Sequence, residues 1–152
     1  MLDPPLSPKG QVPDPKLLRR RLRRACRRVA RAADGWQDIT DVAQRDLRLH
    51  EIRIAAKRAR YAAEVVRPVY GRRANAVARA MEEIQEVLGD RQDATVQRVW
   101  LRDLGMRAFL AGENSFAFGR LHGLTVLRAE HDQATFADVW AATQQIVADW
   151  PG

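Results

Sequence analysis

His50, Arg53, Lys57, Arg60 and Glu64 recur at spacings of 3, 4, 3 and 4. In a helix that spacing draws one stripe, a place usually filled by leucine and isoleucine. Here it is filled mostly by cations. At a rise of roughly 1.5 Å per residue, successive members stand about 5 Å apart along the axis. Such a ladder can make charge-assisted hydrogen bonds to a linear polyanion without reading any sequence in it. His50, at the head of the row, reads as a titratable phosphate contact. A second stripe, Arg20, Arg24, Arg27 and Arg31, lies within "KLLRRRLRRACRRVARAA", residues 16–33. Catalysis finds no support. There is no Walker loop, no G-x-S-x-G and no readable nucleophile–base pair. His122 and His131 lack ligand spacing and Cys26 has no visible partner, so neither a metal nor a cofactor is expected.

The charge is placed as unevenly as the stripes suggest. The 152 residues carry a formal +7, from 23 arginines and 3 lysines against 19 carboxylates. Residues 1–67 hold 17 basic and 8 acidic side chains, whereas residues 68–152 hold 9 and 11. A polarised basic region points to a polyanionic partner. Arginine is suited to phosphate because its planar fork offers paired donors. The composition, 46% hydrophobic and 30% charged, is that of one soluble globular domain. No apolar run approaches the roughly 20 residues of a membrane span, and no signal-peptide h-region opens the chain. A single cysteine excludes an internal disulfide, so a cytoplasmic location is expected.

The stripes need helices to hold them, and the chain reads as helical throughout. Residues 1–15 carry five prolines and are expected to form a linker or arm ahead of a domain at 16–150. The first helix, 16–33, sets Leu18, Leu22, Ala25, Val29 and Ala32 against its arginines. The second runs from about Asp38 to Arg67 and stops at Pro68. A third, 71–90, carries Val77, Met81, Ile84 and Leu88 inward and ends at Gly89. Asp90 and Asp93 then read as caps at a junction with a fourth helix, 91–104. A fifth follows Gly112, with Gly119 and Gly123 as close-packing positions, and a sixth covers 132–150. The expected fold is an all-α antiparallel bundle of about six helices, two of them arginine-rich and lining a basic groove. In the second helix, Ile52, Ala56, Ala59, Ala63 and Val66 form one apolar face and Ile54, Tyr61 and Val65 another. The cationic row is expected to lie between two packing surfaces.

The order of these pieces resembles a known family. "LHEIRIAAKRARYAAEVV" at 49–66 fits the pattern H-x-x-R-I-x-x-K-R-x-R-Y. "IQEVLGDRQDA", "WLRDLG" and "AFGRLHGL" follow in turn. Together they are similar to the CHAD family, the conserved histidine α-helical domain. The resemblance implies a helical, non-catalytic module that binds inorganic polyphosphate through a basic surface, with His50, Arg53, Lys57 and Arg60 as phosphate contacts. It also implies a contact at Arg91, which stands where the family often has a histidine. Family domains usually pair two similar helical halves around a basic channel, and this chain looks like the C-terminal half. The resemblance therefore implies a homodimer or association with a missing N-terminal half. From residues alone the alternative is a nucleic-acid-binding module. That module would want aromatics among the cations for stacking, and within residues 37–67 only Tyr61 qualifies.

Overall fold

The computed structural model describes residues 14–150, without the side chains of 90–92, so the expected arm up to residue 13 and the Arg91 side chain lie outside the description. Asp14 starts the first element. Its carboxylate accepts from the Lys16 amide at 2.9 Å, and Pro15 occupies the first turn, where a missing N–H costs nothing. Helix α1 spans Pro15–Ala32. Leu18, Leu22, Cys26 and Val29 form its buried seam. A 3-10 turn at Trp36–Asp38 follows, with Gly35 at a φ of 63°. Asp41 then caps α2, accepting from the Gln44 amide at 2.8 Å.

Helix α2 spans Val42–Leu110, but it is two limbs. Gly71 takes φ 51° and ψ −122°, a conformation open to glycine and strained for other residues. There the chain folds back on itself. Arg60 meets Glu82, Arg53 meets the Gln85 carbonyl, and Arg98 lies 3.7 Å from Asp46. Those pairs are nested around residue 71, as antiparallel limbs require. Pro68 does not end the first limb, which continues to Tyr70 before the break.

Helix α3 spans Phe116–Ala148 and returns along the second limb. The turn into it is a Schellman cap. Glu113 N–H donates to the Ala108 carbonyl and Gly112 N–H to that of Phe109, with Gly112 at φ 74°. Three long helices therefore stand where about six were expected. The third and fourth expected helices are one, because Gly89 is a helix-interior residue here, not a cap. A glycine there weakens a helix by only about 1 kcal/mol, too little to end one that tertiary packing supports. Asp93 is likewise an exposed mid-helix residue, and the backbone is helical through Asp90. The fifth and sixth expected helices are continuous across residue 131. No strand occurs among the described residues, and none of their helices is long and apolar enough to cross a membrane.

The core lies between α1, both limbs and the C-terminal half of α3. Ile52, Ala56, Ala59, Ala63 and Val66 meet Val77, Met81, Ile84 and Leu88, together with the α1 seam and Phe136. The alanines let helix axes approach closely, so packing is dense where side chains are short. Trp36 plugs one end against Phe136, ring centroids 4.9 Å apart. Trp150 closes the other against Tyr70 at 5.1 Å. Tyr70 Oη donates to the Pro15 carbonyl at 2.8 Å and Arg48 Nη1 to that of Ala32 at 3.5 Å, holding α1 antiparallel to the first limb. Gly119 and Gly123 are not close-packing positions, since a Cβ at either would meet open space. Gly105 has that role, because a Cβ there would come 3.2 Å from Phe118 Cβ. Urea denaturation should separate these classes. Gly71→Ala is expected to destabilise by about 1–3 kcal/mol. Gly119→Ala is expected to stabilise by about 0.5–1 kcal/mol.

Candidate functional site

The α1 stripe follows directly from the α1 seam. With Leu18, Leu22 and Val29 turned inward, Arg20, Arg24, Arg27 and Arg31 stand half a turn away and exposed. They line a surface hollow of about 580 Å³ together with Leu17, Arg21 and Arg23. Eight arginines lie between Lys16 and Ala33, with no Asp or Glu among them. None of the eight forms an ion pair among the described residues. Like charges at i,i+4 oppose the helix by about 0.2–0.5 kcal/mol each. The buried seam holds α1 against that repulsion, and a bound anion would relieve it. Cys26 belongs to the seam. Burial pushes its thiol up to about 11 from an ordinary 9.0, a backbone hydrogen bond opposing only in part, so it is a packing residue and a poor nucleophile.

The row on α2 is built differently. Its members flank the core face of the first limb, and Arg53 and Arg60 reach across to the second limb. His50 is half-buried. Arg53 Nε donates to the Gln85 carbonyl at 3.4 Å, and its guanidinium lies over Gly89. A Cβ added at Gly89 would stand 3.5 Å from Nε, so the glycine leaves the guanidinium its room. Lys57 is exposed and has no ion pair among the described residues. Arg60 is the most committed member. Its Nη1 donates to Glu82 Oε1 at 3.1 Å, and its Nε lies 3.4 Å from Glu64 Oε1, close enough for attraction but misaligned for a hydrogen bond. The guanidinium carbon also lies 5.2 Å from the Tyr61 ring centroid.

Two features differ from the sequence expectation. Ile54, Tyr61 and Val65 are exposed, so the row has packing on one flank only. The stripe on α1 faces away from the first limb while the row faces the second, so the two are not brought into one groove within this chain. Glu82 and Gln85 complete the row's surroundings and were missed by sequence reasoning. They lie on the opposite limb, and only the fold-back at Gly71 makes them neighbours. Among the described residues no cluster of three or more His, Cys, Asp or Glu side chains is placed to hold a metal.

The described residues thus form a helical domain with unopposed arginines on one face and a half-neutralised cationic row on another. The CHAD domain family matches residues 1–102, two thirds of the chain, and the protein belongs to that family. CHAD domains are non-catalytic binding domains, associated in general terms with polyphosphate. Uncharacterized proteins from two strains of Mycobacterium tuberculosis are each 39% identical over 101 residues, which is 64% of this chain. The chain spans only 18% of the length of those relatives. No solved structure matches.

Because Glu82 holds Arg60, removing that carboxylate should release a cation to solvent. Glu82→Gln is expected to strengthen the binding of inorganic polyphosphate by about two- to fivefold, within the range of an exposed ion pair. Calorimetric titration with a polymer of defined length measures it. Unchanged affinity would place Arg60 outside the binding surface.

Proposed function

We propose that this chain is a non-catalytic module that binds inorganic polyphosphate through arginine, lysine and histidine side chains. The observation that carries the proposal is the unpaired arginine face of α1, which has no carboxylate of its own and none within ion-pair distance among the described residues. A face of that kind is open to an external anion. Arg20, Arg24, Arg27 and Arg31 present forked donors at helical intervals, matched to successive phosphates of a flexible chain. Each charge-assisted hydrogen bond contributes about 1.5–3 kcal/mol before ordering costs. His50, Arg53, Lys57 and Arg91 supply the second set of contacts, and Arg60 joins them when a polyanion competes with Glu64 and Glu82. A linear polymer can follow one face and turn onto the next, so the two sets need not share a groove. Catalysis has no place in this reading, since the residues bind phosphate oxygens and move no proton or bond.

The test is competition among polyphosphate, RNA and DNA at one salt concentration. Polyphosphate is expected to displace either nucleic acid at lower concentration of phosphate units. Displacement in the reverse order would assign the surface to nucleic acid. Affinity should also fall steeply with salt, the logarithmic slope being about −0.7 per phosphate neutralised by analogy with single strands. Replacing Arg20, Arg24, Arg27 and Arg31 together by Gln should weaken binding by at least about 100-fold, given four such contacts. Circular dichroism should show the helices retained, and unaltered binding would remove α1 from the site.

A further inference from the structure

Residues 95–128 carry an apolar surface that polyphosphate cannot use. The first limb of α2 begins at Val42, and the second limb runs on to Leu110, well past the level of Arg98 and Asp46 where they meet. Beyond that level only the second limb and α3 remain, as a two-helix hairpin. Of residues 95–128, Ala108 alone is buried. Eleven of the 18 exposed large hydrophobic residues lie in this hairpin, Trp100 at 67% exposure and Leu124 at 53% among them. On one face Val96, Trp100, Leu101, Leu121 and Leu124 wall an open groove of about 590 Å³.

The geometry points to a second copy of this chain as the occupant of that groove, hairpin laid on hairpin. The eleven side chains lie around both helices of the hairpin and together present on the order of 1,000 Å² of apolar surface, so a partner that packs along the groove and its flanks can reach an area comparable to the about 800 Å² that each side buries in a standard interface. Charge permits the pairing. Residues 93–131 hold five arginines and four carboxylates, so this region carries +1 of the chain's +7 and two copies meet here with little repulsion. Arg128 also lines the groove, but the dense run of arginines lies on α1, on a different part of the molecule. A two-fold axis would set the two antiparallel helices against two more as a four-helix bundle with an apolar centre. This pairing uses none of the residues assigned to polyphosphate and stands or falls independently of that reading.

Sedimentation velocity without polyphosphate, over roughly 1–100 μM protein, decides the matter. The chain is expected to sediment as a dimer at the upper end. Trp100→Glu combined with Leu124→Glu should raise the dimer dissociation constant by at least about 100-fold, as for centrally placed interface residues. Both side chains are exposed, so the helical circular dichroism should not change, and the milder Trp100→Ala should give a smaller shift in the same direction. Val65→Glu, an exposed apolar position on the first limb, serves as the control and should leave the dimer intact. A monomer at every concentration overturns the proposal. A dimer indifferent to the hairpin variants, or broken equally by Val65→Glu, overturns the assignment of the surface.

Discussion

Gly71 holds φ 51° and ψ −122° between two long helical limbs, and the remaining architecture hangs on that reversal. A straight α2 of 69 residues would be a rod of roughly 100 Å with no core. Folded back, it brings Ile52, Ala56 and Ala63 against Val77, Met81 and Ile84, and α1 and α3 have a surface to cover. The same reversal sets Glu82 and Gln85 beside Arg60 and Arg53. Fold and site thus share one hinge, and a side chain there would strain both.

The two cationic faces behave differently because of what surrounds them. On α1, repulsion among arginines is uncompensated, and the helix holds because Leu18, Leu22, Cys26 and Val29 are buried. On α2, the Arg60 guanidinium already has two carboxylates, and Arg53 is held by a backbone carbonyl. The first face offers charge at once, whereas the second must exchange internal partners for external ones. A row held that way has less freedom to lose on binding, which favours geometry over raw charge.

Much of this was legible in the chain. The α1 seam, the inward face of the first limb and the buried Val77–Leu88 series follow from periodicity. The family follows from the run that begins at His50. Other features were not legible, for physical reasons. Gly89, with Asp90 beyond it, has the composition of a helix end, yet local preference of about 1 kcal/mol yields to tertiary support on both sides. Pro68 looks like a stop, but proline's fixed φ is itself helical and its missing N–H costs one hydrogen bond, so the limb runs on to Tyr70 and the break waits for Gly71.

The sequence by itself determined which residues share a face, because helical geometry is local and has one period. It determined the all-α class, the concentration of charge in the first half and the stripes of Arg20–Arg31 and His50–Arg60. Only the tertiary structure decided which faces find a partner. It left Ile54, Tyr61 and Val65 exposed although their spacing matches a packing strip, and it left the apolar hairpin around Trp100 and Leu124 uncovered. It also neutralised Arg60 through Glu82, 22 residues away. A periodic pattern states what a helix can bury, but burial itself depends on whether another element reaches that surface; none covers the Ile54 strip, and around Trp100 the first limb falls short of the second.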